Sequence, residues 1–198
     1  MSLESNVRTR AVSDPVALRA LAHPLRLRLY SLVAREGTLT AADAAKELGT
    51  SHALASHHLR QLAKYGYVEP AEASDGRARP WRVTATSMTF TPEDPEAQAP
   101  RDALQRHAAE QAVDELVDWQ ARRTPEEAAD WEELAGARGS LLYLDPAELA
   151  EVLQAWHDVV MPRALARPIG HADERPPGAV PVSLTLVVAP LRPTPHGG

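Results

Sequence analysis

The sequence predicts an α+β, mainly helical chain in two parts. Three observations carry this. From residue 14 to residue 65, apolar side chains recur at helical spacing, broken by capping residues and glycines. After Gly66 the pattern changes to short β-compatible runs about an Asp-Gly turn. Prolines then multiply: four of the 17 lie in residues 1–90 and 13 beyond, with "TPEDPEAQAP" (91–100) as a linker. The parts so divided are 12–90 and 101–190.

In the first part, Asp14 is an expected N-cap with Pro15 at the first helical position, for a short helix over about 14–22. "HPLRLRLYSLVAREG" restarts at Pro24, places Leu25, Leu29, Leu32 and Val33 on one face, and ends at Gly37. Thr40 caps "TAADAAKELG", with Asp43 three residues on as a weak capping box. Gly49 ends that helix, and Ser51 caps the next, which runs to about Tyr65. Only "GTS" joins the two, which forces a tight crossing. "YVEPAEA" and "ARPWRVTAT" then form a hairpin through Asp75-Gly76.

Composition narrows the function. The 198 residues contain no cysteine, which removes disulfides, thiolate metal sites and cysteine nucleophiles. No apolar run approaches membrane-spanning length, and "MSLESNVRTRAVSDP" has no apolar signal core. A cytoplasmic protein with no membrane partner is expected. The net charge of −6 is unevenly spread. Residues 1–90 carry 12 Lys+Arg against 8 Asp+Glu; residues 91–198 carry 9 against 19. Only the first part is suited to a polyanion.

The helix from Ser51 has two unlike halves. Leu54, Ala55, His58, Leu59, Leu62 and Tyr65 fall on one, expected to pack on the preceding helices. His52, Ala53, Ser56, His57, Arg60 and Lys64 fall on the other. Small residues let a backbone approach closely, and His, Ser, Arg and Lys reach phosphates and base edges, as a helix lying in a DNA major groove must. Ser51 is an N-cap and a candidate phosphate contact. Arg77 and Arg79, near the hairpin tip, are placed for the DNA backbone or the adjacent minor groove. His58 is expected inside, Trp81 against the helices, and Arg26 and Arg28 in structural or solvated roles.

The pieces "LAHPLRLRLYSLV", "TAADAAKELGTSHALASHHLRQL" and "GYVE", in this order, resemble the winged helix-turn-helix domain of ArsR-type bacterial transcriptional regulators over about residues 12–88. The resemblance implies a homodimer on a palindromic operator in double-stranded DNA, acting as a repressor. It makes the helix from Ser51 the recognition helix and puts Arg77 and Arg79 in the wing. The thiolate ligands of the family's metal sensors are missing; the helix over 41–48 offers only Asp43 and Glu47. Asp94, Glu96, His107 and Glu110 loosely follow a second ligand pattern, but Glu96 stands where a His belongs. No metal and no cofactor are expected.

In the second part, "RDALQRHAAEQAVDELVDWQAR" (101–122) is an amphipathic helix with the stripe Leu104, Ala108, Ala112, Leu116 and Trp119, flanked by Val113 and Val117. In ArsR-like dimers the helix after the wing packs on its partner, which would make this stripe the dimer contact; packing within its own chain is the alternative. Thr124, Pro125 and Glu127 start another helix. A strand over Leu141–Leu144 precedes a helix capped by Asp145 with Glu148, whose stripe is Leu149, Val152, Leu153, Trp156 and Val160. Val182, Leu184, Leu186 and Val188 alternate in a last strand, expected to pair with 141–144. The result is a small α+β dimerisation or accessory domain. Trp119, Tyr143 and Trp156 would either line a small-molecule effector pocket or serve as core.

Two other functions use the same fold: the winged-helix dimerisation module of an enzyme, and a protein-interaction module. Against the first, nothing after residue 90 shows a Gly-rich strand–turn–helix, and no catalytic residues are assignable. Against the second stands the small and basic outward face of 52–64.

Overall fold

The structure is a computed structural model and describes residues 9–72, 79–85, 87–90, 95–166 and 176–191. Strand β1 (Thr9–Val12) leads into α1 (Pro15–Leu21), α2 (Pro24–Glu36), α3 (Ala41–Glu47) and α4 (His52–Lys64). Strands β2 (Val68–Pro70), β3 (Trp81–Val83) and β4 (Ser87–Phe90) follow. A short 3-10 turn (Pro95–Ala97) opens α5 (Gln98–Arg122), and α6 (Pro125–Trp131) and α7 (Pro146–Ala166) complete a mainly helical α+β chain.

Helices α1, α3 and α4 start where their caps dictate, and α2 starts at Pro24 without a side-chain cap. The Asp14 carboxylate accepts from the Val16 and Ala17 amides at 3.0 and 3.2 Å. Thr40 Oγ1 accepts from Asp43 N at 3.1 Å, and Ser51 Oγ from Leu54 N at 3.2 Å. These bonds satisfy amides that a helix start leaves without a partner. Gly49 (φ 62°) makes the turn between α3 and α4 in a left-handed conformation that a side chain would strain. Further on, Asp145 with Glu148 closes a reciprocal capping box, as expected, and Thr124 with Glu127 closes another at the expected helix start.

Behind α4, β2 and β3 pair antiparallel with Val68 opposite Val83 and Glu69 opposite Arg82, whose side chains form an ion pair at 2.8 Å. Leu39 bridges to Trp81 on the other side, so the loop before α3 adds a third edge to this wing. Trp81 packs on the core, as expected. Leu18, Leu21, Leu29, Val33, Leu59, Leu62, Tyr67 and Val68 are its most buried large side chains. Two phenols are sunk in it: Tyr30 donates to Ala85 O at 2.7 Å and Tyr67 to Ala17 O at 2.8 Å. Burial pushes both up to about 12, so each stays a neutral donor.

The structure departs from expectation in four places. First, β1 and β4 form an unforeseen parallel pair, Thr9 opposite Ser87 through Val12 opposite Phe90. Second, the linker expected over 91–100 is structured from Pro95: Ala97 and Pro100 are buried, and the last three residues already belong to α5. Pro100 is tolerated there because amides of a helix's first turn have no intrahelical acceptor to lose. Third, Leu141–Leu144 and 182–188 are not strands; a strand needs a hydrogen-bonded neighbour, and among the described residues neither segment has one. Fourth, Leu54 is exposed (42%) rather than packed. It sits at the edge of the apolar half, about 80° around the helix from Leu62. The Asp75-Gly76 turn, Arg77, Asp94 and residues 167–175 and 192–198 lie outside the described residues.

Among the described residues, every buried one lies between Val12 and Leu104. The first turns of α5 pack on α1 and α2 and belong to this core; among the described residues, none after Ala108 joins it.

Candidate nucleic-acid interface

The candidate interface is built on α4, whose inner side is anchored by three side chains with no accessible surface: Ala55, Leu59 and Leu62. Its C-terminal end is held by Arg10 of β1, whose guanidinium donates to Tyr65 O at 2.7 Å and to Gly66 O, and lies 4.6 Å from the Tyr67 ring centre. A cation on the last carbonyls of a helix complements its dipole.

The outer side is free within the chain. His52, Ala53, His57, Arg60 and Lys64 are exposed and Ser56 is half-buried. Arg60 donates to Ser56 Oγ at 3.1 Å, one turn back, which steadies the guanidinium over the face. No acidic residue occurs between Glu47 and Glu69. The exposed face therefore carries positive charge, a narrow small-residue strip at Ala53, and the free amides of a helix start at Ser51. Arg79 is exposed beside the wing, while Arg82, not singled out from sequence, is engaged by Glu69. Arg26 is structural: its guanidinium donates to Ala20 O and to Arg19 O, closing the end of α1.

Beneath the outer face lies a histidine pair. His58 is 7% exposed, and its ring centre is 4.8 Å from that of His23, which precedes α2. His57 meets His58 edge-on at 5.2 Å. The Nδ1 atoms of His23 and His58 are both buried without a hydrogen-bond partner among the described residues. Desolvation and the Arg26 charge hold His23 below the usual imidazole range. Desolvation, His23, Arg26 and His57 do the same to His58. Both rings are thus neutral near pH 7, and His58 is a packing residue, as its face predicted.

The other singled-out residues are scattered. On α5, Leu104 is buried in its own chain's core and Ala108 packs against it, whereas Ala112, Leu116 and Trp119 are half-exposed and Val113 and Val117 exposed. Trp119 lies under Arg123, at 4.9 Å. Tyr143 stands free in solvent, Trp156 is exposed, and none of Trp119, Tyr143 and Trp156 lines the shallow hollow at 10–17 with 64–65 or the one at 32–47. His107 pairs with Glu110 at 2.8 Å, and among the described residues no three His, Asp or Glu side chains gather around a possible metal. No helix of the described residues is long and apolar enough to cross a membrane.

Residues 21–70, from the end of α1 to the end of β2, match the family described as "Helix-turn-helix domain". The chain carries a helix-turn-helix domain. With α4 exposed as its second helix, this supports a DNA-binding transcriptional regulator. No curated protein matches the sequence. Solved structures similar to it include a MarR family transcriptional regulator from Silicibacter pomeroyi DSS, at 18% identity over 75% of this chain and 76% of that one, TM-score 0.32. Lactococcus lactis ZitR, as a mutant in apo form, is 16% identical over 67% and 81%, TM-score 0.29. The S-adenosylmethionine-dependent methyltransferase SibL, in its apo form, is 22% identical over 78% of this chain but 45% of its own, TM-score 0.29. TM-scores this low carry no argument for function.

Proposed function

We propose that this protein is a cytoplasmic, ArsR-like repressor without catalytic residues, which binds a palindromic operator as a homodimer. In this reading α4 lies in the major groove, with His52, His57, Arg60 and Lys64 reaching base edges or phosphates and Ala53 and Ser56 permitting close approach. Ser51 offers the helix N-terminus to a phosphate, and Arg77 and Arg79 follow the backbone from the wing. One observation carries the proposal: an anchored helix exposes a basic, acid-free face. With no cysteine in the chain, any effector is sensed without thiolates, and a small molecule is the class proposed. The half-exposed end of the α5 stripe, Ala112, Leu116 and Trp119, is proposed as part of the dimer contact.

Titration of duplex DNA at several salt concentrations tests this. Affinity should fall steeply as salt rises, because each neutralised phosphate releases counterions. Arg60→Ala should cost about 1–3 kcal/mol and relax the preference at one base position, whereas Arg79→Ala should weaken all sequences alike. Affinity indifferent to salt and to both substitutions would overturn the proposal.

A further inference from the structure

Beyond Ala108 most of the large apolar side chains among the described residues are partly or wholly uncovered, most of all in residues 179–191. Val182, Leu184, Leu186 and Val188 are each about half exposed or more. Among the described residues no sheet pairing reaches this segment, and one backbone hydrogen bond, from Ala179 N to Pro176 O at 3.0 Å, lies at its start. An alternating apolar segment with unpaired backbone is a template for another strand.

The pattern itself says which strand fits. "VPVSLTLVVAP" (180–190) is close to symmetric about Thr185. Laid antiparallel on a second copy with Thr185 facing Thr185, Leu184 meets Leu186 and Val182 meets Val188. All four apolar residues of each copy then share one face, because side chains alternate with period two. A shift of one residue would destroy that match. No residue from Ala179 to Leu191 is charged, so identical copies bring no like charges together. Pro181 and Pro190 bracket the run, and proline stops a ladder.

We propose that residues 182–188 form a two-stranded antiparallel ribbon with the same residues of a second copy, centred on Thr185. A ribbon alone is marginal and needs an apolar backing. Val152, Leu153, Trp156 and Val159 of α7 form an uncovered stripe of that kind in the same part of the chain. This deepens the homodimer reading above by naming a contact; it does not depend on DNA binding.

The absence of cysteine makes the test clean, since one introduced thiol has a single possible mate, its own copy. In the full chain, Thr185→Cys sets two thiols directly opposite, at a Cα separation of about 4.5–5.5 Å, within the span of a disulfide. Ser183→Cys sets them four residues out of register, about 13 Å apart, and cannot close. Mild oxidation should convert most of the Thr185→Cys chain to covalent dimer while Ser183→Cys stays largely uncrosslinked. Sedimentation of the reduced variants and of the parent should give the same dimer. A solution dimer in which the two thiols crosslink equally, or not at all, overturns the ribbon and leaves the homodimer reading standing. A monomer at micromolar concentration overturns both.

Discussion

His58 is where packing and recognition meet. It stands edge-on to His57 on the same helix and against His23, with Arg26 of α2 acting on both buried rings and His107 of α5 on His23. Glu110 is paired with His107 at 2.8 Å. Protonating either buried ring therefore adds charge beside charge. Both imidazoles titrate lower folded than unfolded, so the unfolded chain takes up protons first. Their contribution to stability is complete above pH 6.5 and is lost as pH falls below it through the lowered folded values. Thermal denaturation should give a lower Tm at pH 5 than at pH 7.5, with a shallower slope in His58→Leu. Equal slopes would show that the pair does not titrate as described. That His58 is buried was legible in the sequence, because position 58 lies amid the apolar half. Its partner His23 was not, because a contact between residues 35 positions apart has no periodicity to betray it.

Helices α1, α3 and α4 were legible because each begins at a residue whose side chain closes a free amide, Asp14, Thr40 and Ser51, and α2 because Pro24 stands at its first position. These signals are local, so one sequence suffices. Strands β1 and β4 were hidden for the opposite reason. Four-residue strands from opposite ends of the domain are decided by each other, not by their own residues. The start of α5 was obscured by three prolines that usually mark a linker, one of which is accommodated in the first turn. The caps are testable at this scale. Ser51→Ala should cost about 1 kcal/mol of stability through the lost bond to Leu54 N, measured by denaturant unfolding. An unchanged midpoint would mean that the cap does not hold the helix start.

As a whole the molecule is unequal. A net basic first part, with the 3-10 turn and the first turns of α5, holds every buried residue described, and the acidic remainder presents amphipathic elements with little to cover them among the described residues. Hydrophobic side chains left in water at this density call for a partner surface. The sequence marked the helices of the second part but not their packing: amphipathicity tells which side wants cover, not who supplies it. In the proposed reading the first part binds DNA and the second associates with its own copy. Selection of bound duplexes from a random pool, run in parallel with the full chain and with Arg60→Ala, tests the central claim most directly. It should enrich two inverted half-sites whose centres are about one helical turn, or a whole number of turns, apart. Arg60→Ala should lose the preference at one position of each half-site. A pool left unenriched, or a selected sequence that Arg60→Ala reads identically, would contradict the placing of α4 in the groove.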